Sequence, residues 1–106
     1  MWCNNDAAMR IISKKTIVDF YEKHADAKIG MEEWHKKVKD ADWYCSADVK
    51  ETFNSVDSVG NDRYVFNIKG NTYRLIAMIL FQVKRVYIRF VGTHAEYDKI
   101  EDASKE

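Results

Sequence analysis

Four side chains in the last third of the sequence are of the types that handle a phosphodiester. Arg74 opens an apolar run and Arg89 lies in a later one, while His94 and Tyr97 follow in Gly92-Thr93-His94-Ala95-Glu96-Tyr97. Histidine is the side chain most easily poised to move a proton near neutral pH. Tyrosine can stack on a base or supply a hydroxyl. The planar fork of an arginine can hold a phosphate bidentately and stabilise charge that grows on it. Each residue also has a plainer reading. Arg74 fits a strand-end arginine whose stem lies on apolar surface while its head reaches water, and a lone histidine after a strand can be purely structural.

Other chemistries find less support. Cys3 and Cys45 are isolated, with no CxxC and no paired spacing. His24 and His35 are better explained by helix packing and exposure than by a zinc site, so no metal and no cofactor is expected. Unpaired cysteines fit reduced thiols and a cytoplasmic protein. The sequence holds no GxSxG, Walker or GxGxxG motif, which removes the common hydrolase, NTPase and dinucleotide signatures. No run of about 18 apolar residues is present, so no membrane span is expected. The first residues, Met-Trp-Cys-Asn-Asn-Asp, lack the basic start and apolar stretch of a signal peptide.

The elements that must position these groups follow from periodicity. Residues 14–53 read as helical and residues 56–91 as a sheet. Ile17, Phe20, Tyr21 and His24 share one helical face, with Ser13 as N-cap. The pattern restarts around Gly30 with Met31, Trp34, Val38 and Ala41, and Ser46 caps a short third helix to Phe53. Residues 63–68 are strand-like, Lys69-Gly70-Asn71 supplies turn chemistry, and residues 72–81 form an apolar central strand. A second turn at residues 82–85 leads into residues 86–91, where Val86, Ile88 and Phe90 alternate with Tyr87 and Arg89. Met9–Ile12 is a candidate further strand. At 106 residues and 46% hydrophobic content this is one core, and helices leading into an antiparallel sheet predict an α+β domain with helices packed on one sheet face.

The charge is zero overall, with 17 basic against 17 acidic residues, but it is not evenly spread. Residues 63–95 contain Arg63, Lys69, Arg74, Lys84, Arg85 and Arg89 and no Asp or Glu, leaving 11 basic against 17 acidic elsewhere. Strands generally disfavour acids. A basic face that attracts polyanions gives the same signature. Zero net charge therefore does not exclude nucleic acid. It excludes general electrostatic adhesion and leaves binding to one face.

Several blocks resemble the HigB toxins of the RelE superfamily. They are Met9-Arg10-Ile11-Ile12-Ser13-Lys14-Lys15, Ala41-Asp42-Trp43, Ser46-Ala47-Asp48-Val49-Lys50, Tyr64-Val65-Phe66-Asn67-Ile68, Gly70-Asn71-Thr72-Tyr73-Arg74-Leu75 and, most specifically, residues 87–98. The resemblance implies a RelE-like toxin domain over residues 9–100, flanked by an extension at 1–8 and a polar tail at 101–106. It implies a ribosome-dependent mRNA endonuclease that acts by attack of the 2′-hydroxyl on the adjacent phosphate. It also implies a HigA-type helix-turn-helix antitoxin as partner, with DNA contacted only through the antitoxin complex. Carried over, it makes Arg74, His94 and Tyr97 catalytic and assigns Asn71 and Arg89 to the family pattern. With the basic residues Lys69, Arg63, Lys84 and Arg85, these last two form the expected RNA-binding set. Two other readings compete with the enzyme: a non-catalytic RNA- or ribosome-binding module, and a protein-interaction domain using the acidic helices.

Overall fold

The computed structural model describes residues 9–106. The extension expected at residues 1–8, including Cys3, lies outside them. Strand β1 (Arg10–Ile12) leads into helices α1 (Lys14–Lys23), α2 (Lys28–Asp40) and α3 (Ser46–Thr52). Strands β2 (Val56–Gly60), β3 (Arg63–Ile68), β4 (Tyr73–Leu80) and β5 (Arg85–Thr93) follow, then helix α4 (His94–Asp98) and a final turn at Ala103–Lys105. The strands form one sheet in the order β1-β5-β4-β3-β2. Only β1, parallel to β5, departs from antiparallel pairing. The expected α+β class therefore holds.

Three local expectations shift. Ser13 occupies the N-cap position of α1, but its side chain caps nothing; its main-chain oxygen accepts the Thr16 N–H instead. Cys45, not Ser46, stands at the N-cap of α3, and the end is held by Asp48, whose carboxylate accepts the Tyr44 N–H at 2.8 Å. Gly30 does not restart a helix; it lies within α2. A β-carbon there would sit 2.8 Å from the Ile68 side chain, so the glycine lets α2 approach β3 closely.

Burial follows from alternation. Tyr64, Phe66 and Ile68 of β3 and Tyr73, Leu75, Ala77 and Ile79 of β4 face the helices and meet Ile17, Met31, Trp34, Val38 and Val49. Phe66 takes edge-on contacts from Trp34 at 5.4 Å and Phe53 at 5.0 Å, which fixes α2 and α3 over β3. Each fully buried side chain of this kind contributes roughly 1.5–3 kcal/mol.

The other face carries Arg63, Val65 and Asn67 of β3 and Arg74, Ile76 and Met78 of β4, in register as Arg63–Met78, Val65–Ile76 and Asn67–Arg74. Val65 and Ile76 lie outside the core cluster on which the helices pack, yet Val65 is 1% and Ile76 0% exposed. The chain after β5 provides the cover: α4 packs on β4 and β5, and the Ala103–Lys105 turn packs on β2 and β3.

A bulge in β5 decides one orientation. Ala77 pairs with Ile88 but Ile76 pairs with Phe90, so Arg89 is the extra residue. Alternation alone puts Phe90 on the face of Val86 and Ile88; the bulge turns it to the opposite face, beside Ile76. Among the described residues no helix is long and apolar enough to cross a membrane.

Candidate active site on the open face of the sheet

Arg74 projects from β4 onto the open face, across from Gly92 of β5. Its Nε is buried with no hydrogen-bond partner, while the residue as a whole remains partly exposed. The guanidinium carbon lies 4.9 Å from the centre of the Tyr97 ring, a cation–π contact that fixes the plane of the fork. Phe90 backs the same ring at 6.4 Å. The bulge that redirects Phe90 therefore builds part of this site. Gly92 is required for it, since a β-carbon at that position would lie 2.5 Å from the Phe90 ring and 2.9 Å from Glu96 Oε1.

Helix α4 is set by a capping box. Thr93 Oγ1 accepts the Glu96 N–H at 3.1 Å, and Glu96 Oε1 accepts the Thr93 N–H at 2.8 Å. That main-chain N–H holds the Glu96 carboxyl below its ordinary range. The His94 N–H donates to the Thr72 carbonyl oxygen at 3.2 Å, which ties the helix to the β3–β4 turn. One helical turn on from His94 comes Tyr97. His94 Nδ1 lies 3.0 Å from Asp98 Oδ2. An ionised carboxylate only accepts, so Asp98 selects the Nδ1–H form and leaves Nε2 as the nitrogen able to accept a proton. With its side chain 43% exposed, His94 is open to a ligand.

The structure puts Arg74 against Tyr97, sets His94 at the start of the same short helix as Tyr97, and spreads the other predicted residues. Asn71 lies on the exposed turn next to Thr72, beside the His94 end of the site. Lys69, on the same turn, is bound to Asp26 at 2.8 Å. Asp26 also accepts the Tyr73 hydroxyl, and these two bonds hold its carboxyl below the usual carboxylate range. The same contact raises Tyr73, which stays protonated on the packed face. Lys84 is 17% exposed and donates to Asp42 and to the Trp43 carbonyl oxygen, with Tyr44 stacked over it. Arg63 and Arg89 lie towards the opposite end of the open face, where both Nε groups donate to the main-chain oxygen of Glu106. Arg85 is exposed and stands in register with Leu80 and Arg10 at that end.

Two contributors escaped the sequence reading. Asp98 is legible in hindsight as an i,i+4 partner of His94 once residues 94–98 are helical. Arg10 joins Arg85 only through the parallel β1–β5 pairing, for which the sequence carries no local signal. Among the described residues no group of three or more His, Cys, Asp or Glu could hold a metal ion.

Comparison with known proteins defines the class. A family model described as a RelE-like toxic component of a toxin–antitoxin system, HigB_toxin, matches residues 27–100. The mRNA interferase HigB of Escherichia coli O6:H1 is 30% identical over 94 residues, covering 87% of this chain and 91% of that protein. The mRNA interferase toxin HigB of Escherichia coli K12 and the mRNA interferase HigB of Shigella flexneri are each 33% identical over 92 residues, covering 85% of this chain and 88% of theirs. The chain belongs to the HigB toxin family. Membership in a toxin–antitoxin family implies an antitoxin as its partner.

Proposed function

We propose that this chain is an mRNA interferase, an endoribonuclease that cuts translated mRNA on the ribosome in the cytoplasm and is neutralised by a HigA-type helix-turn-helix antitoxin. The observation that carries the reading is the unpartnered, buried Nε of Arg74, fixed against Tyr97 one helical turn from a histidine oriented by Asp98. A buried guanidinium N–H without an acceptor is costly unless a ligand supplies one, and a phosphate oxygen is the acceptor its fork fits best.

These positions support the following reaction. The ribose 2′-hydroxyl attacks the adjacent phosphorus, the bond from phosphorus to the 5′-oxygen breaks, and the products are a 2′,3′-cyclic phosphate and a 5′-hydroxyl. DNA lacks the nucleophile and is not cut. Arg74 binds the scissile phosphate and stabilises the negative charge that builds on its oxygens. His94 Nε2 accepts the proton of the 2′-hydroxyl, with Asp98 as its positioning residue, and the departing 5′-oxygen takes a proton from water. Tyr97 holds Arg74 in plane and offers its hydroxyl and ring edge to the substrate. Asn71 and the arginines of the open face contact the rest of the strand, whereas Lys69 and Lys84 reach RNA only by leaving Asp26 and Asp42.

The test is induction of the chain in cells, with transcript ends mapped beside those from R74A and H94A. The parent is expected to leave cuts within translated frames, ending in a 5′-hydroxyl, and both variants to leave few. Parent-level toxicity and cutting in both variants would overturn the site. Arrested growth with intact transcripts would favour the non-catalytic binding module instead.

A further inference from the structure

Strand β2 begins at Val56, which pairs with Phe66 of β3, so Asn67 lies just past the last paired residue on that side of β3. The chain that leaves α3 fills this edge instead. Residues 52–55 of that link, Phe66 and Asn67 of β3 and Lys37 of α2 line a cleft of about 270 Å³. Two of the lining groups have interactions to spare. Asn67 donates from Nδ2 to Ser55 Oγ at 2.5 Å, while its Oδ1 is buried and has no hydrogen-bond partner. Lys37 is exposed and has no acidic partner among the described ion pairs. Its ammonium stands 5.7 Å from the centre of the Phe53 ring, which is itself half-buried in the cleft wall.

The cleft adjoins the candidate active site. Asn67 and Arg74 stand directly opposite each other on β3 and β4, and both side chains lie on the open face. Neighbouring strands are about 4.8 Å apart. An RNA strand with one phosphate at Arg74 that runs across the sheet towards β2 therefore brings its next nucleotide over Asn67. What the cleft offers matches the parts of a nucleotide: an acceptor without a donor, a cation without an anion, and an aromatic ring. Its volume lies just under the usual range of small-ligand clefts, which suits one nucleotide and no longer segment. A buried acceptor without a donor costs free energy that a ligand N–H recovers.

We infer that this cleft is a subsite for the nucleotide next to the scissile phosphate, where Lys37 holds a phosphate oxygen and Asn67 Oδ1 accepts the exocyclic amine of the base. The inference rests on the endoribonuclease reading and adds to it a residue that selects among substrates. Oδ1 is covered in the free protein, so the base gains its bond by turning the amide, and the Ser55 hydroxyl rotates to follow Nδ2. With Nδ2 held by Ser55, the amide meets the base as an acceptor. Cytosine presents its N4 amine there, whereas uracil presents the O4 oxygen, a second acceptor that leaves Oδ1 unpaired. Lys37 is a point charge on a flexible stem. It adds affinity for the backbone without choosing a base.

The test measures binding of two short RNAs with 2′-O-methyl sugars, tetracytidylate and tetrauridylate, which bind but cannot be cut. The parent is expected to bind the cytidine form about fivefold more tightly, the size of one net hydrogen bond. N67A should bring the two to equal affinity. Because N67A also loses the bond to Ser55, N67D serves as the second variant. Its carboxylate keeps an acceptor in place, so it should keep the preference while weakening both RNAs through its charge. K37Q, a change at an exposed position, should weaken both RNAs alike and leave the preference intact. It should also flatten the plot of log affinity against log salt by about 0.7, the value for one phosphate contact on a single strand. Equal affinity of the parent for the two RNAs, a preference that survives N67A or is lost in N67D, or an unchanged salt slope in K37Q would overturn the inference. Weaker binding of both RNAs by R74A, with cleavage in cells that still depends on Arg74 and His94, would then leave the endoribonuclease reading standing without this subsite.

Discussion

Tyr73 and Arg74 are neighbours on β4 that point to opposite faces of the sheet, and they end in opposite states. Tyr73 is buried under α1; its ring lies edge-on to Phe20 at 5.4 Å and to His24 at 5.6 Å, and its hydroxyl is bound by Asp26. Every polar feature of that side chain is satisfied. Arg74 keeps a buried Nε with no partner, held in place by an aromatic face that supplies attraction but accepts no N–H bond in the plane of the fork. Tyr73 illustrates the rule that buried polar groups find partners, which Trp34 Nε1 on the same face does not follow. On the open face Arg74 Nε breaks the rule, as does Asn67 Oδ1 in register with it, and the guanidinium N–H is where a substrate oxygen fits. One face holds the protein together and the other is arranged for something it does not itself contain.

The sharpest way to break this comparison is to truncate adjacent residues of β4. L75A removes a fully buried side chain and is expected to cost about 2–5 kcal/mol, read by denaturant unfolding. R74A is expected to cut ribosome-dependent cleavage by about 10²–10³-fold, as loss of a donor to a charged transition state does, while its unfolding curve overlays that of the parent. An Arg74 variant as unstable as the Leu75 variant would show that both faces are structural.

Most of the scaffold was legible because periodicity reports burial. The helical face through Met31, Trp34 and Val38 and the central position of β4 follow from patterns of 3.6 and 2. The site was legible in part: Arg74, His94 and Tyr97 stand out by type, and the structure puts Arg74 against Tyr97 with His94 on the same helix. What escaped depends on non-local contacts. The β5 bulge moves Phe90 to the other face, and alternation within one strand cannot encode a register shift set by the neighbouring strand. The six basic residues of the acid-free stretch read as one group because sequence order is one-dimensional. In space Lys69 and Lys84 turn to aspartates, Arg63 and Arg89 turn to the C-terminal segment, and Arg74 stays with Tyr97.

The geometry around Arg74 and His94 gives two intermediate tests. G92A forces a β-carbon against Phe90 and Glu96, so Tyr97 loses its backing and the capping box is strained. A loss of about 1–3 kcal/mol, the usual range for overpacking, is expected together with reduced cleavage. D98A should reduce cleavage by about tenfold, the low end for removing a partner that orients a histidine. D98N should restore part of the rate, because its amide oxygen still accepts Nδ1–H. Equal rates in D98A and the parent would show that α4 alone orients His94.

The smallest expected effect isolates the capping box, through which the open face borrows a purely structural device. The Thr93 N–H holds the Glu96 carboxyl below its ordinary value of 4.5, so the native state favours the ionised form. Linkage then fixes the sign. The stabilisation is fully present above that ordinary value, shrinks as the pH falls below it, and is gone once the pH has passed through the lowered native value. E96Q keeps an oxygen for the Thr93 N–H but cannot titrate. The parent is expected to be slightly more stable than E96Q near pH 7, and the gap between their melting temperatures should close as the pH falls below about 4.5, a window set by the direction of the shift. T93A removes the other half of the box and should cost about 1 kcal/mol near pH 7, the usual value of a lost N-cap. A parent–E96Q gap that widened in acid would mean that Glu96 is stabilised in its protonated form, and the capping box would then not be what fixes α4 over the open face.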